Sequence, residues 1–166
     1  MSQRGMVIDS LEFARRHEAL SGRLQLSTLP RLVEVLFDTS GSLDFKVSGE
    51  TAGGDAFLAV KLEGALPLIC QRCLGALVFE LSVNSRMMLV EPGSAWPDDG
   101  QVGGLEDEAC DAIEASRELD LTPLLEEEIL LALPIAPRHE RCEPPVAVKD
   151  SKEASPFAQL ARLKRN

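Results

Sequence analysis

Two long stretches of the chain alternate between apolar and polar positions, and a short cysteine-containing segment joins them. From residue 56 to 69, and again from residue 77 to 90, most apolar side chains fall on one parity. Such alternation is typical of strands with one buried face. The joining segment is Cys70-Gln71-Arg72-Cys73-Leu74, followed by Gly75, which allows the chain to turn back. The pattern predicts a long β-hairpin with two thiols at its tip.

Shorter segments on either side of the hairpin have the patterns of strands and helices. Alternation over residues 43 to 47 predicts a third strand, residues 23 to 26 a short strand, and residues 112 to 115 an edge strand. Apolar residues at helical spacing predict three helices, near residues 10 to 20, 28 to 36 and 122 to 133. Asp9 and Asp120 are suitable N-caps for the first and third helices. The predicted fold is α+β, an antiparallel sheet built around the long hairpin and packed by about three helices.

The length and composition favour one domain with an aliphatic core. The chain has 166 residues, of which 45% are hydrophobic but only 4% aromatic. We predict a single α+β domain over residues 1 to 143, with a mobile acidic loop at residues 91 to 110 that is rich in Pro, Gly, Asp and Glu. Residues 144 to 166 are predicted to be a linker and a short basic amphipathic segment, a helix that needs a surface on which to dock.

The charge is strongly negative and unevenly distributed. The formal net charge is −10, and residues 91 to 128 contain thirteen acidic residues and one basic residue. This balance argues against general nucleic-acid binding, which depends on Lys and Arg. Residues 149 to 166 carry a net charge of +3. Local contact with RNA or a partner is therefore assigned to Arg72 at the hairpin tip and to three residues of the C-terminal segment, Arg162, Lys164 and Arg165.

The cysteines and one histidine form the strongest chemical pattern. Cys70 and Cys73 have two residues between them and form a CxxC, and His139 and Cys142 form an HxxC much later in the chain. Three thiolates and an imidazole fit a closed tetrahedral Zn²⁺ site if the turn after the last helix returns to the hairpin tip. Two other interpretations remain open: the cysteines are reduced packing residues, or Arg72 lowers a thiol pKa for redox chemistry.

Conventional enzyme motifs do not appear in the sequence. It contains no P-loop, GxGxxG or HExxH pattern, and we predict a protein that is not an enzyme and has no small-molecule substrate. No apolar run resembles a secretory signal or a membrane span, so we expect a cytoplasmic protein with no membrane partner.

The order of several motifs resembles the bacterial YceD family. The motifs are CQRCL at residues 70 to 74, EEEILLALP at residues 126 to 134, the later His139 and Cys142, and the terminal SPFAQLARLK at residues 155 to 164. The resemblance implies a factor needed for accumulation of large-subunit (23S) ribosomal RNA, through its synthesis, processing or stability. It implies ribosomal RNA or ribosome-assembly proteins as partners, and no catalytic residues. The alternatives are a zinc-stabilised protein-interaction module of another pathway or a thiol redox protein.

Overall fold

A five-stranded sheet and two α-helices make up most of the fold. The computed structural model describes residues 6–97 and 110–145. The elements in chain order are β1 (Val7–Ile8), α1 (Ser10–Arg15), β2 (Ala19–Gln25), 3₁₀ turns at Leu26–Thr28 and Leu32–Val35, β3 (Ser42–Ala52), β4 (Asp55–Ile69), β5 (Ala76–Val90), β6 (Asp111–Glu114), β7 (Leu119–Asp120) and α2 (Leu121–Ala132). The predicted α+β class is confirmed.

The long hairpin occupies the centre of the sheet. The strand order is β2-β3-β4-β5-β6. β4 and β5 pair antiparallel along their whole length, from Ala56 opposite Leu89 to Ile69 opposite Ala76. The short edge strand β6 runs parallel to β5, so the sheet is mixed and not purely antiparallel. β1 and β7 form a separate two-stranded ribbon.

In the part of the chain that the structure describes, the helices cover one face of the sheet, which explains the alternation in the sequence. The inner face packs against α1 and α2 through side chains that are completely or almost completely buried: Leu43, Leu58, Leu62, Leu66, Leu68, Leu121, Leu125 and Ile129. The helix α1 approaches the sheet closely where β3 has a glycine. A Cβ atom on Gly49 would lie 2.4 Å from the backbone oxygen of Phe13, so this contact requires glycine.

The first predicted helix is shorter than expected. We expected it to extend from residue 10 to 20, but α1 ends at Arg15 and β2 begins at Ala19. His17 adopts a left-handed conformation, with φ of 53°, which ends the helix. Residues from Ala19 onward then pair with β3. Pairing with a neighbouring strand outweighs the weak helical preference of this segment.

The second predicted helix, over residues 28 to 36, is replaced by the two 3₁₀ turns. Leu29 precedes Pro30, and a residue before proline disfavours the helical region. It is extended, with φ of −107° and ψ of 91°, and it separates the turns. The carboxylate of Glu126 in α2 is buried and accepts hydrogen bonds from the backbone N–H groups of Arg31 and Leu32 at 2.7 and 2.9 Å. The third helix is confirmed, with the side chain of Asp120 as its N-cap.

Parts of two predicted segments lie outside the described residues. These are residues 98–109 of the acidic loop and residues 146–166 of the C-terminal region. Within the described ranges, no helix combines the length and the apolar character that crossing a membrane requires.

Candidate metal centre

The CxxC segment forms a tight turn at the end of the hairpin. The N–H of Cys70 donates to the carbonyl of Gly75, and the N–H of Leu74 donates to the carbonyl of Cys70, both at 2.9 Å. Leu74 has a φ of 61°, the left-handed conformation that lets the chain reverse. The turn places Cys70 at the end of the buried stripe of β4, where it is completely buried, and Cys73 at a half-buried position.

The segment after α2 returns to this turn. Leu133 ends the helix, and the chain then runs along the hairpin tip, where the N–H of Gln71 donates to the carbonyl of Pro137 at 2.8 Å. This contact fixes the segment that contains His139 and Cys142 next to the CxxC turn. The spatial condition on which the sequence-based zinc prediction depended is therefore met.

Four side chains converge into one cluster with the spacing of a tetrahedral metal site. One ligand atom from each of Cys70, Cys73, His139 and Cys142 lies within 4.8 Å of all the others. The Sγ atoms of Cys70 and Cys142 are 3.8 Å apart. Sulfurs bound about 2.3 Å from one Zn²⁺ in a tetrahedron lie about 3.8 Å from each other. That separation is far longer than a disulfide bond of about 2.05 Å.

The histidine is oriented so that one particular nitrogen faces the cluster. Nδ1 of His139 lies 3.4 Å from Sγ of Cys73, close to the separation of about 3.5 Å expected between a sulfur and a nitrogen on one Zn²⁺. Nε2 lies 3.0 Å from the carbonyl oxygen of Ala76. With Nε2–H donating to this carbonyl, the imidazole presents the lone pair of Nδ1 to the metal, an arrangement common for metal-bound histidines.

Arg72 connects the two halves of the cluster. Its Nε donates to Sγ of Cys142 at 3.0 Å, and its Nη2 donates to the carbonyl of His139 at 2.8 Å and to that of Glu140 at 3.4 Å. Three thiolates around Zn²⁺ leave one excess negative charge, which the guanidinium balances. This residue was predicted to contact RNA or a partner, and the structure gives its side chain these contacts within the cluster.

Hydrogen bonds to sulfur favour the ionised form of Cys70. The backbone N–H of Cys73, followed by the N–H groups of Arg72 and His139, outweigh the effect of burial and lower the pKa of Cys70 to about 5. A thiol must be deprotonated before it can bind a metal. Cys70 is therefore ready to coordinate at neutral pH.

Hydrogen bonds also favour the charged forms of Cys142 and His139, the HxxC half of the cluster. Burial opposes the charge of Cys142, but hydrogen bonds from Arg72 and His139 outweigh it and lower the pKa of Cys142. Hydrogen bonds to the sulfurs of Cys142 and Cys70 raise the pKa of His139. Without a metal, the cluster thus favours thiolates at Cys70 and Cys142, held by an imidazolium and a guanidinium. The N–H of Gly75 acts to lower the pKa of Cys73, but burial and the neighbouring sulfurs of Cys70 and Cys142 outweigh it and raise that pKa.

The other predicted site residues, Arg162, Lys164 and Arg165, are outside the described residues. Sequence reasoning missed that Arg72 holds the HxxC segment and that the carbonyl of Ala76 orients the histidine. The position of Arg72 between the two cysteines was a signal for the first of these contacts. A backbone carbonyl gives no signal in the sequence.

The fold and the cluster define an α+β domain with a Cys₃His candidate metal centre at the tip of its central hairpin. Residues 58–164 match the family model described as large ribosomal RNA subunit accumulation protein YceD. The chain belongs to the YceD family, and the matched range includes all four candidate ligands. No solved structure matches the chain.

Proposed function

We propose that Cys70, Cys73, His139 and Cys142 bind one Zn²⁺ with a structural role. The support is the convergence of four soft or borderline ligand atoms within 4.8 Å of one another. Four protein ligands complete the tetrahedral shell, whereas catalytic zinc sites keep one position open for water. In this site the ion connects the segment after α2 to the hairpin tip. These two parts of the chain are 66 or more residues apart in the sequence.

We further propose that the protein supports the accumulation of large-subunit (23S) ribosomal RNA by binding, without catalysing a reaction. The observation that carries this proposal is the family match over residues 58–164. The partners would be ribosomal RNA, ribosome-assembly proteins or both.

The charge distribution favours a basic protein as the main partner. The whole chain carries a net charge of −10, and residues 91 to 128 carry −12. Such a surface attracts Lys- and Arg-rich proteins and repels phosphates. In this proposal, the acidic region holds a basic ribosomal protein until RNA displaces it. Direct RNA contact would be confined to the basic residues Arg162, Lys164 and Arg165, with Arg72 occupied at the metal centre.

A genetic experiment tests the ribosomal role. Cells that lack the protein are complemented with the wild type, with the double variant Cys70→Ser/Cys73→Ser, or with Cys110→Ser as a cysteine outside the cluster. We expect the ratio of 23S to 16S ribosomal RNA to fall without the protein, to recover with the wild type and Cys110→Ser, and to recover poorly with the double variant. An unchanged ratio in the cells without the protein would contradict the proposal.

A biochemical experiment separates protein partners from RNA. The tagged protein is purified from cells at low and at high salt, and bound proteins and RNA are identified. We expect basic ribosomal or assembly proteins that are lost at high salt, and that are also lost when the acidic residues between 91 and 110 are neutralised. Recovery of RNA that persists after proteins are removed would instead assign the role to direct RNA binding.

The lowered pKa of Cys70 is the one observation that favours a thiol redox protein. An imidazole placed at ligand distance from Cys73 is more consistent with a metal site. If the purified protein contains no metal and exchanges disulfides with a small dithiol substrate, the redox assignment replaces the proposed one.

A further inference from the structure

The outer face of the sheet changes character along the hairpin. In its middle, the outward positions are charged, for example Lys61 and Glu63 on β4, both exposed. Closer to the tip, the outward pairs are apolar: Pro67 lies opposite Val78, and Ile69 lies opposite Ala76. An exposed sheet face is normally polar, so this apolar end calls for an explanation.

A neighbouring segment extends the apolar surface. Leu36 is buried and bridges to Leu68 on the inner face, and the N–H of Phe37 donates to the carbonyl of Pro67 at 2.7 Å. Successive residues of an extended chain point to opposite faces, so Phe37 lies on the outer face beside Pro67. Phe37 is 55% exposed and Val78 is 67% exposed. We call Phe37, Pro67, Ile69 and Val78 the outer apolar patch.

The last described segment of the chain lies at this end of the hairpin. The last described residue, Pro145, comes three positions after Cys142, whose sulfur is 3.8 Å from that of Cys70 at the tip. Pro67 is three residues before Cys70, which is a distance of about 10 Å along the strand. Nine residues lie between Pro145 and Ser155, and the ten steps from one Cα to the next across them span up to about 35 Å when extended. The C-terminal segment is therefore within reach of the patch.

The chemistry of that segment complements the surface. Phe157, Leu160 and Ala161 have the spacing of one helical face, and a short amphipathic helix requires an apolar surface to be stable. The basic residues at its end, Arg162, Lys164 and Arg165, match the acidic border of the patch. This border consists of Glu63 and Glu80, which lie on the same outer face in the cross-strand pairs next to the patch.

We propose that the C-terminal segment, residues 155 to 166, docks on the outer apolar patch of its own domain. Phe157 and Leu160 would cover Phe37 and Val78, with the basic end of the segment towards Glu63 and Glu80. This inference depends neither on a bound metal nor on a role in ribosomal RNA accumulation. It assigns an occupant to the exposed apolar end of the sheet and a binding surface to the amphipathic segment.

Hydrogen exchange measured by mass spectrometry on the full chain tests the docking. We compare the wild type with Val78→Asp and with a matched control, Leu131→Asp, on α2, since Leu131 is 69% exposed and Val78 is 67% exposed. In the wild type we expect the amides of residues 155 to 166 to be protected. In Val78→Asp their exchange should accelerate by about tenfold or more, as expected on loss of an apolar contact. Leu131→Asp should leave the segment unchanged.

A reciprocal variant and two controls make the result decisive. Phe157→Asp should raise the exchange of peptides containing Val78 and the binding of a hydrophobic dye by several-fold. Circular dichroism and the melting temperature verify that each variant is folded, and sedimentation gives the oligomeric state. Exchange of residues 155 to 166 at the rate of an unstructured peptide in the wild type would overturn the proposal. A concentration-dependent dimer that is lost in Val78→Asp would also overturn it and assign the patch to a second copy.

Discussion

The middle and the tip of the β4–β5 hairpin are held together in different ways. In the middle, Leu62 lies between Phe45 and Val83 on the inner face and is completely buried, so the hydrophobic effect stabilises this part. At the tip, only Cys70 continues the buried stripe, and the contacts are hydrogen bonds among thiols, an imidazole and a guanidinium.

The difference indicates which part of the fold depends on a ligand. Burial of aliphatic side chains requires nothing beyond the chain itself, whereas three thiolates carry more charge than Arg72 and a protonated His139 neutralise, so all three are held together only by a bound cation. We therefore expect the sheet to persist under conditions that loosen the tip.

A cavity in the middle of the hairpin should have the largest effect. Replacement of Leu62, which is 0% exposed, by Ala is expected to lower the free energy of unfolding by about 2 to 5 kcal/mol. Urea denaturation followed by circular dichroism measures this loss, which should be similar with and without zinc. The outward-facing Ser82→Ala is the control, with an expected change within about 0.5 kcal/mol. Equal effects of the two substitutions would mean that the inner face is not the main source of stability.

Removal of metal should loosen the tip and spare the middle. Zinc at a free concentration 100 times its Kd stabilises the folded chain by about 2.7 kcal/mol, so a chelator should remove about that amount. Amides at the tip, such as that of Gln71, which donates to Pro137, should exchange faster after chelation. Amides of the central rows of β4 should keep their protection. Uniform loss of protection through the whole sheet would contradict the division between tip and middle.

Removal of the Arg72 side chain should weaken the metal centre without abolishing it. Arg72→Ala deletes the hydrogen bonds to Cys142 and to the carbonyl of His139, and loss of such outer partners commonly weakens metal affinity by about 10- to 100-fold. Competition with a chromophoric chelator measures the affinity. Gln71→Ala is the neighbouring control, because the Gln71 side chain makes only a 3.5 Å contact with the carbonyl of Ile69. Equal zinc affinities for the two variants would mean that Arg72 does not stabilise the metal centre.

Acidification should weaken the metal-free tip through Cys70. The folded chain lowers the pKa of Cys70 to about 5, whereas an unfolded cysteine has a pKa of about 8.5. A lowered folded-state pKa contributes stability that is present above the unfolded value and is lost as the pH falls through the folded value. In the chelated protein, the stability difference between the wild type and Cys70→Ser should therefore decrease from about pH 9 to about pH 5. A stability difference that stays constant over this pH range would show that Cys70 is not ionised in the folded chain.

The sequence predicted the middle of the fold better than its edges. Alternation located β4 and β5 to within one residue at each end, because a half-covered sheet imposes its period on the side chains. Helix spacing alone was insufficient where a strand partner or Pro30 determined the backbone. In the sequence Glu126 is one of three adjacent glutamates, and only the fold shows that its buried carboxylate accepts hydrogen bonds from a distant turn.

The cluster illustrates the same limit at the candidate site. The ligand types and the spacings within each pair were evident from the sequence, but the return of the segment after α2 was not. The contacts that hold the returned segment are a backbone hydrogen bond from Gln71 to Pro137, the bonds of Arg72, and the bond between His139 and the carbonyl of Ala76. The two bonds to backbone carbonyls of Pro137 and Ala76 leave no signal in the sequence.

The metal content of the purified chain decides whether the four residues at the hairpin tip form a zinc site. Native mass spectrometry with elemental analysis should find one zinc ion per chain in the wild type and in Cys110→Ser. The ion should be lost from Cys70→Ser/Cys73→Ser and from His139→Ala/Cys142→Ser, since each double variant removes one half of the cluster. If the purified chain has all its thiols reduced, contains no zinc and binds none on titration, these four residues do not form a zinc site.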